Sequence, residues 1–97
     1  MEGDFRVTSV TFEDLGEPTE LGEVVRAEFQ VVDLEDRAAP FAARVGDVEV
    51  RVAARVPLTD TVVGFLRERP APGDPVLFGY VGQGLVDTGL TYEPGNS

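Results

Sequence analysis

Apolar and polar residues alternate with a period of two along much of this chain, which is typical of half-buried β-strands. Residues 5–12 are one predicted strand, but their apolar positions change face partway, which predicts a bulge or an edge strand. The cleanest alternation runs through residues 24–32 and predicts a strand with one buried face. That face carries Val25, Ala27, Phe29 and Val31.

Residues 41–56 are predicted to form a β-hairpin. Gly46-Asp47 suits a two-residue type II′ turn, because the first central position of that turn requires a positive φ. The turn sets the register of the two strands and places Arg44 opposite Glu49 on the outer face. A second hairpin is predicted from residues 76–81 and 85–92.

Residues 59–69 have helical spacing of their apolar positions and predict a short helix that ends before Pro70. Thr59 or Asp60 would cap it. Gly64 would weaken such a helix by up to ~1 kcal/mol relative to alanine, so the helix would depend on docking against the sheet. We expect Phe65 to belong to the core through this helix, as Phe29 does through its strand.

These elements predict a mainly β fold of five or six strands with one short helix before the last two strands. Without the first strand, their order is that of an OB-fold barrel, so an OB-like barrel and a β-sandwich are the two architectures considered. The length of 97 residues predicts a single domain over 1–97. Residues 13–23 are predicted to be an acidic loop, and residues 1–4 and 93–97 to be frayed.

The chain has no histidine, cysteine, lysine or tryptophan. Histidine, cysteine and lysine supply most general bases, thiolate nucleophiles, Schiff-base amines and transition-metal ligands at neutral pH. We therefore expect a protein that is not an enzyme and that has no cofactor, no metal site and no disulfide. No segment has the length of a membrane span or the pattern of a signal peptide, so a cytoplasmic location without membrane contact is expected.

The formal net charge is −10, and it has two explanations in the composition, GC-rich coding and adaptation to high salt. Excess negative charge repels phosphate backbones and favours a basic protein partner. The candidate acidic partner surface consists of Glu13, Asp14, Glu17, Glu20, Glu23, Asp33, Glu35 and Asp36.

A second candidate surface is the outer row of the first hairpin. Arg44, Arg51 and Arg55 would project from one face, and the corresponding strands of an OB-type barrel bind oligonucleotides. The row contains no aromatic residue on which a base could stack. A binding module for another protein, as an adaptor or a subunit of a larger assembly, is therefore the favoured hypothesis, with docking by strand addition at an exposed edge. Single-stranded nucleic-acid binding and acidic mimicry of a nucleic acid are the alternatives.

Overall fold

The computed structural model describes residues 6–32, 40–56 and 58–93. Asp33, Glu35 and Asp36, as well as most of the ends predicted to be frayed, lie outside these ranges. The described residues form seven strands and no helix. In chain order the strands are β1 (Arg6–Asp14), β2 (Val25–Val32), β3 (Phe41–Val45), β4 (Val48–Val56), β5 (Thr61–Leu66), β6 (Pro75–Tyr80) and β7 (Val86–Thr91).

One nearly closed, barrel-shaped sheet contains all seven strands, in the order β1-β2-β5-β4-β3-β6-β7. Every hydrogen-bonded pair is antiparallel. Strand directions therefore alternate from one strand of the sheet to the next. Because the number of strands is odd, β1 and β7, at the two ends of the sheet, run in the same direction. Among the described residues, no ladder of backbone hydrogen bonds joins β1 to β7.

The predicted strand of residues 24–32 is confirmed as β2, in which buried and half-buried residues alternate without a break. β2 pairs with β1 on one side and β5 on the other, so its backbone groups are satisfied along both edges. The predicted irregularity in the first strand is also confirmed. The pairing of β1 with β2 shifts by one residue between Val7 and Ser9, and β1 is an edge strand.

Both predicted hairpins are confirmed. In the first, Arg44 lies opposite Glu49, and Gly46 has a φ of 60° while Asp47 has no positive φ, as a type II′ turn requires. The second hairpin consists of β6 and β7, which are joined by residues 81–85.

The predicted helix over residues 59–69 is wrong, since residues 61–66 form strand β5. β5 lies between β2 and β4 and pairs with both, which satisfies its backbone without a helix. Its sequence Thr-Val-Val-Gly-Phe-Leu is rich in β-branched and aromatic residues, which suit a strand. The sheet consequently has seven strands rather than five or six, and the OB-like element order, which required that helix, does not describe it.

The core lies on the inner face of the sheet and contains a row of aromatic rings. Phe29 packs on Phe78 with ring centroids 5.0 Å apart, Phe41 lies 4.8 Å from Phe78, and Tyr80 lies 4.9 Å from Phe41. Phe29 is a core residue, as predicted. Phe65 is half-buried on the outer face, which corrects its predicted core position.

None of the described residues belong to a helix that is long and apolar enough to cross a membrane.

Candidate functional site

Arg44 and Arg51 are exposed on the outer face of the sheet. Arg51 lies opposite Phe65 in the ladder between β4 and β5, and residues that face each other across a ladder share a face. The guanidinium carbon of Arg51 lies 5.5 Å from the centroid of the Phe65 ring, within the range of a cation–π contact. The outer face therefore has the aromatic ring that the predicted arginine row lacked.

Arg55 does not belong to this row, contrary to the prediction. The pairing of β4 with β5 shifts by one residue between Val52 and Ala54, and beyond this bulge Arg55 lies opposite the buried Val62. Arg55 therefore points to the inner side, where its guanidinium carbon lies 4.9 Å from the centroid of the Phe41 ring. One extra residue in a strand exchanges its two faces from that point onward.

Arg51 is also held by Glu23, which the sequence had placed on a solvated acidic surface. The Glu23 side chain is 2% exposed and accepts hydrogen bonds from Nε of Arg51 and, at 3.1 Å, from its Nη2. Thr19 donates a further, longer hydrogen bond to the same carboxylate at 3.4 Å. The Arg51 guanidinium lowers the pKa of Glu23 against the opposing effect of burial. Glu23 therefore fastens the loop before β2 to β4, and it is not available to a partner.

A shallow hollow of about 540 Å³ lies on this face beside Arg51. Arg44, Arg67 and Phe65 line it, but so do three carboxylates, and the charges of its lining arginines and carboxylates cancel. Such a hollow offers an anion less attraction than the arginines alone would. Its acidic lining residues are Asp47, Glu49 and Glu68.

The other predicted acidic residues do not form one surface. Glu13 and Asp14 lie in β1, so the acidic loop is shorter than predicted. Glu17 and Glu20 are exposed in the loop between β1 and β2. The segment that the sequence treated as one solvated run thus contains a strand end, an exposed loop and the buried Glu23.

Asp14 forms a bidentate ion pair with Arg69, which precedes β6. Nε and Nη2 of Arg69 donate to the carboxylate at 2.7 and 3.0 Å, and Nη2 also donates to the carbonyl of Gly16 at 3.2 Å. The hydrogen bond from Arg69 lowers the pKa of Asp14 to about 2, with a further contribution from the backbone N–H of Gly16. This ion pair ties the end of β1 to the loop between β5 and β6.

The pKa of Asp14 predicts a loss of stability in acid. Because that pKa is about 2 in the folded chain, against a usual 3.8, the contribution of the ion pair is complete above about pH 4 and disappears as the pH falls through 2. Urea unfolding of the wild type and Asp14→Asn at pH 5, 4, 3 and 2 should show a stability difference that shrinks toward pH 2. Glu17→Gln makes the same charge change at an exposed carboxylate, and an equal shrinkage in that control would contradict the prediction.

The gap between the edge strands β1 and β7 is a second candidate site, which we call the seam. At one end of the seam Phe12 and Tyr92 meet edge to face, with ring centroids 4.7 Å apart and an interplanar angle of 69°. A groove of about 290 Å³ follows the seam from there. It is lined by Thr8, Ser9, Val10, Phe12, Gly89, Leu90, Thr91 and Glu93.

The seam leaves apolar surface uncovered at its other end. Val86 begins β7 and lies opposite Phe78, which is fully buried, so the two side chains share the inner face. Yet Val86 is 64% exposed. An inward-facing valine is exposed when no neighbouring strand covers it, so the barrel lacks cover at this point.

Sequence reasoning missed Phe65, Arg67 and the seam itself. Alternation in residues 61–66 was the available signal for Phe65, since it places Thr61, Val63 and Phe65 on one face. The seam had no local signal, because it depends on which strands end the order of the sheet.

The described residues contain no group of three or more acidic side chains that could hold a metal ion. Comparisons with models of protein families, with curated protein sequences and with solved structures found no match to this chain.

Proposed function

We propose that this protein is a non-catalytic binding module that takes an extended segment of a partner protein into the seam by strand addition. The observation that carries the proposal is the incomplete barrel, in which β1 and β7 form no ladder with each other. Edge strands are common sites of pairing with another chain, and a peptide strand that adds to such an edge binds mainly through its backbone.

Strand addition suits this seam energetically. Each backbone hydrogen bond contributes about 0.5–1.5 kcal/mol net, so several bonds along a nine-residue edge are enough for measurable affinity. An added strand would also cover Val86, and burial of the exposed part of its side chain contributes on the order of 1 kcal/mol. The β-branched residues of β1, which are Val7, Thr8, Val10 and Thr11, suit a neighbouring strand on its free edge.

The test is fluorescence anisotropy with labelled, capped nine-residue peptides in which valine alternates with threonine or with lysine. At least one peptide should bind saturably. The same peptide with N-methyl groups on alternate backbone nitrogens should not bind, because it keeps the side chains but loses backbone donors on one edge. Absence of binding by every peptide, or equal binding by the N-methylated control, would refute strand addition.

A labelled single-stranded oligothymidylate belongs in the same experiment, because Phe65 gives the outer face one stacking ring beside Arg51. Saturable binding that is lost in the Arg44→Ala/Arg67→Ala variant would support the oligonucleotide function in place of the proposed one. Arg51 stays unchanged in that variant because it holds the buried Glu23. Acidic mimicry of a nucleic acid would instead favour folded basic proteins and would be insensitive to N-methylation.

A further inference from the structure

We infer that the segment taken up by the seam is a strand of alternating apolar and basic residues that runs antiparallel to both β1 and β7. This inference rests on the proposed function and specifies the direction and chemistry of the partner. It follows from three features of the seam. These are the parallel direction of β1 and β7, which form its two walls, the apolar surface on its inner side and the carboxylates on its outer side.

The direction follows from the odd number of strands. β1 and β7 run the same way, so in this otherwise antiparallel sheet they could close the barrel only through a parallel ladder. One additional strand of opposite direction pairs antiparallel with both and completes eight alternating strands. Its C-terminus would lie beside Val86, where β7 begins, and its N-terminus would point to the end of the seam that the contact between Phe12 and Tyr92 closes.

The inner side of the seam requires apolar side chains. Val10 and Leu90 are half-buried and pack against the core from the two walls. Val86 is the exposed continuation of this surface. Side chains of a strand alternate between its faces, so every second residue of the added strand would contact these positions.

The outer side of the seam favours basic side chains. Glu13 lies on the outer side of β1 opposite Arg26, Asp87 lies in β7 opposite Leu77, and Glu93 follows β7. None of these three carboxylates forms an ion pair within the part of the chain that the structure describes. Arg6, at the start of β1, is the one basic residue in either wall strand. The excess of carboxylates here agrees in sign with the net charge of −10.

The chemistry is tested with three capped nine-residue peptides in which valine alternates with lysine, threonine or glutamate. At low salt we expect the lysine peptide to bind about tenfold more tightly than the threonine peptide, with the preference decreasing as salt is added. The triple variant Glu13→Gln/Asp87→Asn/Glu93→Gln should lose most of this preference. The matched control Glu17→Gln/Glu20→Gln/Glu68→Gln removes the same charge away from the seam and should retain it.

The direction is tested with nitroxide labels on the lysine peptide and amide NMR spectra of the protein. A label at the peptide C-terminus should broaden the signals of Val86 and Val7, and a label at the N-terminus should broaden those of Thr91 and Glu13. The reverse pattern would mean a strand parallel to both walls and would overturn the inferred direction.

The outcomes separate this inference from the proposed function. Equal binding of the lysine and threonine peptides, with loss on N-methylation, would refute the basic partner but retain strand addition. Failure of all peptides would remove both. A protein that is dimeric at micromolar concentration by sedimentation, and that no peptide dissociates, would show the seam to be filled by a second copy and would overturn the inference.

Discussion

Replacement of Phe29 by alanine should lower the free energy of unfolding by about 3–5 kcal/mol. Phe29 is fully buried on the inner face of β2 and packs on Phe78 with ring centroids 5.0 Å apart. Removal of the ring loses its buried apolar area and leaves a cavity that the rigid strands of a barrel close poorly. A loss of this size is comparable with the whole stability of a small domain, so the variant should be largely unfolded at 37 °C.

The matched control for this prediction is Phe65→Ala, which removes the same ring from the outer face. Phe65 is half-buried there beside Arg51, so its loss should cost about 1 kcal/mol, with no core cavity. Urea unfolding followed by circular dichroism measures both variants. Equal losses in the two would contradict the assignment of Phe29 to the inner face and Phe65 to the outer face.

Gly64→Ala should destabilise the protein by about 1–3 kcal/mol, which is the opposite of its effect in a helix. An added Cβ at Gly64 would collide with Cγ1 of Val50 and would lie 3.0 Å from the backbone carbonyl oxygen of Arg51. In an isolated helix the same change would stabilise by up to ~1 kcal/mol. The sign of the change in the free energy of unfolding therefore distinguishes a strand from a helix at residues 61–66.

A second variant shows whether the collision causes the loss. Val50→Ala removes the methyl group that the new Cβ would meet, so the double variant Gly64→Ala/Val50→Ala should be more stable than the sum of the two single losses predicts. Additive losses would assign the effect to the backbone carbonyl of Arg51 alone. A stabilised Gly64→Ala variant would contradict the position of β5 between β2 and β4.

The Glu23–Arg51 ion pair shows how one contact limits what a surface can bind. Arg51 is half-exposed on the face where an oligonucleotide would lie, but it is held by a carboxylate that is almost fully buried. A ligand that takes the Nε and Nη2 donors of this guanidinium away from Glu23 must leave that carboxylate buried without its partner, which is costly. The seam carries no such penalty, because the carboxylates on its outer side form no ion pair with another described residue.

Much of the local structure could be predicted from the sequence, because it depends on neighbouring residues. The alternation of residues 24–32 identified β2, and Gly46-Asp47 identified both the first hairpin and its register. The change of face within residues 5–12 identified the bulge in β1. In each case the signal lies within about ten residues, the range over which strand periodicity and turn chemistry act.

Residues 61–66 show where local information was insufficient. Val62, Phe65 and Leu66 fit a helical stripe, whereas Val62, Gly64 and Leu66 fit the inner face of a strand, so both periods occur in the same six residues. Pairing with β2 and β4 decides between them, because two neighbouring strands satisfy the backbone groups that a helix would satisfy internally. Those partners lie far away in sequence.

The sequence by itself determined the mainly β character, both hairpins and the negative charge. Tertiary structure alone decided the position of β5, the inward turn of Arg55, the burial of Glu23 and the seam. The physical reason is common to all four. Each depends on which distant strands pair and in what register, and a shift of one residue there exchanges faces or leaves an edge without a partner.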